Sequence, residues 1–378
     1  MKRAVLIFGA VLLGLVALGA VAMGLRHGGG APYPDLSTEP QFPASELEML
    51  ASLDEPPGNM AVAADGRIFL TIHPESRPEN IKLAELVNGT LVAFPGQSEQ
   101  EELWVTPLGV VVDRQNRLWV IDHGLHGMAG ARLVSIDLAS NTVIDRFDFP
   151  DEVAGALSFL QDLQIDPEGR YVYIADVNVF GNRPALVVYD SETRTARRLL
   201  EDDASVRPQD YVIRNPIKDM VFFGGLFVLK PGVDSIGIDR QGEWLYYAAM
   251  THEDMFRVRT ADLNNEQLSA AELSERVETV GQKPLSDGIS VDSEQNVYIT
   301  DVEHNAIVRL SPDRRLQTVI RDERMRWPDS LCYGPDDYLY VADSAIPDLM
   351  LRSKDHIRQS APYHVYRFRP GTPGLPGQ

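Results

Sequence analysis

The chain has 378 residues, with 35 Lys and Arg against 55 Asp and Glu and a formal net charge of −20 at pH 7. That balance excludes nucleic-acid binding and electrostatic attachment to an anionic membrane surface. Cys332 is the only cysteine, which excludes an intramolecular disulfide.

Met1-Lys2-Arg3 is a basic start, followed by an uncharged apolar run of 22 residues from Ala4 to Leu25. A helix of that length spans the hydrocarbon core of a bilayer. Ala20-Val21-Ala22 also offers the small residues of a signal-peptidase site. Residues 1–25 are therefore read as a signal peptide or a membrane anchor with Lys2 and Arg3 inside, and the rest as extracytoplasmic. Residues 26–46, rich in Gly and Pro, read as a linker; 47–370 form the folded domain; 371–378 look like a frayed tail.

Within the domain one unit repeats. Gly288–Val291, Val297–Thr300 and Ala306–Leu310 are β-branched or aromatic runs separated by the polar turns Asp292–Asn296 and Asp301–Asn305, an antiparallel meander. Tyr298 has counterparts in Phe69, Trp119, Tyr173, Tyr246 and Tyr340, each following an Asp/Gly/Asn turn. Six such units, spaced roughly 45 to 75 residues apart, predict an all-β, six-bladed β-propeller.

Propeller geometry then predicts where chemistry sits. The start of each innermost strand and the end of the next share one rim of the channel. Strand starts carry Asn59, Thr106, Gln161-Asp162, Asp234-Ser235, Asp287 and Asp329-Ser330; strand ends carry His73, Asp122-His123, Asp176-Asn178, Thr251-His252, Asp301-His304 and Asp343-Ser344. Carboxylates crowded round one opening stay charged only with a cation, a cationic ligand or hydrogen-bond donors. A repeated Asp at a strand end more often caps a turn, so Asp122, Asp176, Asp301 and Asp343 read first as structural. Asp162, Asp234, Asp287 and Asp329 weigh equally between structure and ligand binding, with Asn59, Asp176 and His304 as further ligand candidates. His123, His252 and Asp162 are the candidate proton carriers. In His123-Gly124-Leu125-His126 the first histidine is favoured over the second.

Other classes are excluded by what the sequence lacks: it has no Gly-x-Ser-x-Gly elbow, no His-Glu-x-x-His and no phosphate-binding glycine loop. Cys332, in a predicted innermost strand, reads as a buried inert thiol. Asn215–Lys230 breaks the meander rhythm and reads as an outer strand of blade three or a loop over the channel, the loop being favoured slightly because Phe222 and Phe223 cannot both face inward on one strand.

Leu118-Trp119-Val120-Ile121-Asp122-His123-Gly124, Leu133–Leu138, Val143–Phe147, Tyr173–Asp176, Val187–Asp190 and Val233–Ile238 together resemble motifs of the yellow/major royal jelly protein family, in order along most of Leu47 to Pro370. The resemblance implies an exported six-bladed propeller with a small-molecule site at the channel mouth. Insect members are linked to dopachrome rearrangement, pigmentation, amine binding and nutrition. Animal members often carry disulfides, which this chain lacks. Leu285-Ser286-Asp287-Gly288-Ile289 is similar to a motif of the SMP-30/gluconolactonase group, whose members open lactones with a divalent cation held by Glu, Asn and Asp. That likeness implies Asp287, Gln161 and Glu55 as ligands to one Ca²⁺ or similar ion. Gln161 stands where an Asn is expected, and its extra methylene would displace the metal.

The expectation is thus a monomeric exported propeller that binds a small polar or aromatic molecule at the channel mouth, with tautomerase or isomerase chemistry. The alternatives are a metal-dependent lactonase and a non-enzymatic protein-binding platform, the last calling for an exposed apolar patch away from the channel.

Overall fold

The computed structural model describes Gly14, Leu18, Gly19 and residues 21–377. Six four-stranded antiparallel sheets are arranged as blades. Their innermost strands are Pro57–Val62, Pro107–Val112, Leu160–Ile165, Val233–Ile238, Ile289–Val291 and Pro328–Tyr333. Blades one to five are built in simple sequence order. Blade six takes its three inner strands, Pro328–Tyr333, Leu339–Asp343 and Tyr363–Phe368, from the C-terminal end and its outer strand, Glu48–Leu53, from the N-terminal end. Ala51 faces Val365 and Leu53 faces Tyr363 in that closing pair. The ring is shut by strand pairing alone, as a chain without disulfides requires.

The repeated aromatic explains how blades adhere. Phe69, Trp119, Tyr173, Tyr246, Tyr298 and Tyr340 all lie in second strands and are at most 4% exposed. Each shares a core cluster with a residue of the inner strand of the following blade: Phe69 with Val110, Trp119 with Leu163, Tyr173 with Ile236, Tyr246 with Ile289, Tyr298 with Leu331, and Tyr340 with Met60. The core is therefore a set of clusters between blades, and truncating one such ring costs about 3–5 kcal/mol. In the first five blades the turn before the ring is held by its aspartate. Asp113, for example, accepts from the backbone N–H of Gln115 and Arg117 and from the Trp119 indole at 2.7 Å.

Two glycines set how closely the inner strands approach. A Cβ on Gly109 would lie 2.2 Å from the Gln161 carbonyl, and one on Gly288 would lie 2.1 Å from the Asp329 carbonyl. Only glycine lets those neighbouring strands meet round the channel.

Three segments depart from expectation. Residues 371–377 are not frayed: they close the far end of the channel. Ser293 N–H donates to the Pro373 carbonyl, Gly377 N–H to Tyr333, and Val112 N–H to Gly377 at 3.1 Å. The backbone ends of the inner strands offer those partners, which composition does not show. The linker is tied down as well. Ala31–Pro32 pairs in parallel with Tyr211–Val212, and Gln41 and Phe42 donate to Thr318 and Val319. Val221–Phe222 and Phe227–Val228 form a two-stranded hairpin outside blade three, with Phe222 buried and Phe223 63% exposed. Most of the apolar run 4–25 lies outside the described residues; among those described, no helix is long and apolar enough to cross a membrane. Residues 21–27 are helical.

Candidate functional site

A cavity of about 80 Å³ opens at the mouth end of the channel. His73, Glu75, Gln161, Asp234, Asp287 and Trp327 supply its polar side, and Phe159, Phe180, Met250, Ile346 and Met350, with the His126 ring, its apolar wall. This is small beside the few hundred Å³ of a drug-sized site, and suits one ring.

The carboxylates behave as a coupled set. Burial pushes Asp287 up to about 7, opposed by the Trp327 indole N–H, which donates to its Oδ2 at 2.5 Å. Burial pushes Asp234 well above the ordinary carboxylate range, and Asp287, Asp162 and Asp329 push the same way. Its Oδ1 is buried and has no hydrogen-bond partner. Asp329 is raised by burial and by Asp287, and its Oδ2 lies 3.9 Å from His73 Nε2. Burial drives His73 down to about 3, so this ring is a neutral donor, with Nδ1 accepting from Glu75 N–H. Asp162, also raised to about 7 by burial, sits deeper and accepts a hydrogen bond from the Asn59 amide, both lining the lower channel.

The sequence's candidates thus divide. Asp234, Asp287 and Gln161 line the cavity, with Asp162, Asn59 and Asp329 next to them or below. The remainder stand elsewhere. Asp176 is a structural cap, accepting from Phe159 N–H at 2.7 Å and from Arg198 Nη1 at 2.5 Å. His304 bonds Asp301 at 2.9 Å and reaches Asp35 at 3.5 Å, which raise its pKa outside the cavity. His252 lies edge-on to Phe256 and is lowered to about 4 by burial and by Lys283. Glu55 lines a separate groove with Glu79, Lys354 and Arg358. The metal set Asp287, Gln161 and Glu55 is therefore not assembled: Glu55 precedes the first inner strand and points outward from it. Among the described residues, no three His, Cys, Asp or Glu side chains are placed to hold an ion. Asp122 and Asp343 cap loops as expected, Asp122 accepting from Val105 and Thr106 N–H and Asp343 from Trp327 N–H.

The second histidine of the pair, not the first, reaches the cavity. Gly124, Leu125, His126 and Gly127 all have positive φ, between 53° and 74°, a left-handed turn closed by Gly127 N–H to the His123 carbonyl at 2.7 Å. Such a turn costs about 1–2 kcal/mol for each non-glycine residue. It sets the His126 ring 4.5 Å from Phe159 and 5.7 Å from Phe180. His123 is buried beneath, its Nδ1 accepting from His126 N–H and its Nε2 unpartnered. Burial lowers it well below the usual imidazole range.

Two residues went unread in the sequence. Trp327 is fully buried just before the sixth inner strand, and a Trp in that position was the available signal. Lys283 is also fully buried, donating to the Met250 and Pro284 carbonyls; burial lowers it to about 7 while Asp301 and Asp234 oppose. Nothing in Gln282-Lys283-Pro284 marks it as internal.

The family model of the major royal jelly protein matches residues 105–360. The chain belongs to the major royal jelly protein family. Major royal jelly protein 7 of Apis mellifera is 27% identical over 167 residues, 41% of this chain and 35% of that protein. Major royal jelly protein 3 of Apis mellifera is 25% identical over 174 residues, 43% of this chain and 30% of that protein. The match thus spans about a third of the length of these curated relatives. Among solved structures, a luciferin-regenerating enzyme superposes with a TM-score of 0.56 at 12% identity, covering 88% of this chain and 97% of that one. A regucalcin described as calcium-binding, from Agrobacterium tumefaciens, gives 0.54 at 13%, covering 90% and 98%. A gluconolactonase from Xanthomonas campestris gives 0.54 at 11%, covering 86% and 89%. At these identities the likeness is one of fold, and this royal jelly family propeller shares it with the gluconolactonase group.

Proposed function

We propose that this family member is an extracytoplasmic propeller that binds a single-ring molecule bearing a cationic nitrogen at the channel mouth. The observation that carries the reading is Asp234. Its buried Oδ1 has no partner, it shares the cavity with Asp287, and aromatic side chains stand opposite. A buried carboxylate left unpaired is costly. A ligand ammonium would relieve it while the ring lies against Phe159, Phe180 and Trp327.

The same site supports proton transfer. Asp287, titrating near 7, is matched to moving a proton between carbon and oxygen at neutral pH, and the cavity needs no added reagent for a keto–enol shift. His123 and His252 are poorly suited, because both are held neutral by burial. Among the described residues, the donors that a hydrolytic cation would need are not gathered.

The test is calorimetric titration with 2-phenylethylamine and its uncharged analogue 2-phenylethanol. Tighter binding of the amine, lost in the double variant Asp234→Asn/Asp287→Asn, is the expected result. Equal binding of both compounds, or an unaffected double variant, would sink the reading. Enol–keto exchange of phenylpyruvate, followed by absorbance, tests the isomerase arm and should slow in Asp287→Asn.

A further inference from the structure

The exposed apolar side chains of this propeller are not scattered. In each blade the inner strand begins, and the second strand ends, at the mouth rim, so loops after second strands and links between blades all lie on that face. Leu125 (48% exposed), Met128 (70%), Leu157 (41%), Phe180 (42%), Phe223 (63%) and Leu351 (56%) all belong to such loops and links. Among the described residues, the opposite rim carries Val87, at the end of a third strand, and otherwise polar turns; of the remaining exposed apolar side chains outside the N-terminal helix, Ile217 and Val221 share the link that carries Phe223, and Met49, Val92, Val143 and Ile144 are on outer strands. A one-sided apolar rim on an otherwise strongly acidic protein marks an interaction surface.

A second, independent feature says what covers it. The helical residues 21–27 end on the same rim. Arg26 donates to the Gly181 carbonyl at 2.8 Å, His27 packs 5.8 Å from the Phe227 ring, and Lys230 donates to the Gly28 carbonyl. Val21 (58%), Met23 (44%) and Leu25 (85%) on that helix are themselves exposed. They close the uncharged run Ala4–Leu25, which thus joins the propeller beside its mouth and not at its side or far end.

We infer that the mouth face of the propeller seats on a net-neutral lipid bilayer, with the Leu125–Met128 turn and the Phe223 hairpin tip entering the interface and the cavity opening towards lipid. Apolar side chains on loop tips bind such an interface by burying themselves roughly 5–10 Å into the headgroup and acyl boundary. A net charge of −20 disfavours an anionic surface, which is why the bilayer is a neutral one. The turn at Gly124–Gly127 gains a purpose here: its left-handed backbone turns Leu125 and Met128 outward while His126 faces the cavity. None of this depends on the identity of the ligand.

The buried Cys332 leaves the full chain free for single-site labelling. Phe223→Cys and Met128→Cys would each carry an environment-sensitive nitrobenzoxadiazole dye, with Glu294→Cys, on a turn at the opposite rim, as control. The labelled chains, checked for unchanged melting, are reconstituted with phosphatidylcholine vesicles containing a doxyl-labelled lipid. Dyes at 223 and 128 should shift to the blue and be quenched about two-fold or more, while the dye at 294 stays in water. Two results overturn the inference. One is a chain that floats with vesicles while positions 223 and 128 remain unquenched, since the apolar run alone then holds it. The other is a dye shift at those positions without lipid, since a second copy of the chain or another part of it then covers the rim.

Discussion

The indole N–H of Trp327 points at Asp287 Oδ2 across 2.5 Å, joining the residue just before the sixth inner strand to one two residues before the fifth. It is the hydrogen bond that opposes burial in setting the Asp287 charge. Trp327→Phe keeps the ring and removes the donor. The apparent pKa of Asp287, read by NMR or from the pH dependence of ligand binding, should rise above about 7. Stability at pH 8 should fall by about 1.5–3 kcal/mol, the worth of a hydrogen bond to a charged group. A variant with an unchanged pH profile would show that the bond does not tune the carboxylate.

The raised aspartates make stability depend on pH in a defined direction. An unfolded Asp titrates near 3.9, whereas Asp162 and Asp287 titrate near 7 in the fold. Between those values the native state holds more protons than the unfolded chain, so stability falls as pH rises through the window and is lowest above it. Each such group contributes at most about 4 kcal/mol to the fall. The buried histidines His73, His123 and His252 work the other way below about pH 6.5, so the readout is the difference between parent and variant: the melting temperature at pH 5 relative to pH 8 should be several degrees lower in Asp287→Asn than in the parent. An unchanged difference would contradict the raised Asp287.

Amine binding should release protons. A ligand ammonium favours the ionised carboxylates, so at pH 7 complex formation strips protons from groups that hold them in the free protein. Calorimetric titration in phosphate and in Tris, buffers of different ionisation enthalpy, reads the number directly. Proton uptake, or none, would place the ammonium elsewhere.

Gly288→Ala tests how the carboxylates are brought together. The added methyl would sit 2.1 Å from the Asp329 carbonyl, a backbone atom with nowhere to go. The two strands then have to part, with a loss of about 2–4 kcal/mol by urea unfolding. Ligand affinity should fall with stability, because Asp287 and Asp329 separate. A variant as stable as the parent would show the approach to be adjustable.

Chelation separates this propeller from a metal-held one. Treatment with EDTA should leave the melting temperature unchanged and elemental analysis should find no stoichiometric divalent ion, since Glu55 stands apart from Asp287 and no alternative donor set is gathered among the described residues. A bound ion whose removal lowers the melting temperature would reopen the lactonase reading.

The repeat was legible because one ring per blade has one job. Phe69, Trp119, Tyr173, Tyr246, Tyr298 and Tyr340 all follow a turn that must bend the same way, and both signals are local. The floor of the cavity was half legible. Asp234 and Asp287 sit at strand starts, where propeller geometry puts the channel rim, yet Asp162, beside Gln161 at the same strand start, falls deeper and pairs with Asn59. One residue of register makes that difference, and side-chain alternation alone does not set its origin. Glu55, His252 and His304 were misplaced for the same reason: each lies in a loop whose course is fixed by tertiary partners such as Lys283 and Asp35. Lys283 was invisible because its role comes from residues distant in sequence, and Trp327 was marked only by its place before the sixth inner strand.

The closing pair has a consequence for how the molecule is made. Glu48–Leu53 is made before every other blade strand, and its partner Tyr363–Phe368 after all of them. Until Tyr363–Phe368 has emerged, that first strand has an unsatisfied edge, and the five blades between stand as an open arc with two free flanks. Nascent chains of this kind depend on something to occupy the exposed edge in the interval, and premature termination before Tyr363 yields no smaller propeller, only an arc that pairs with its neighbours.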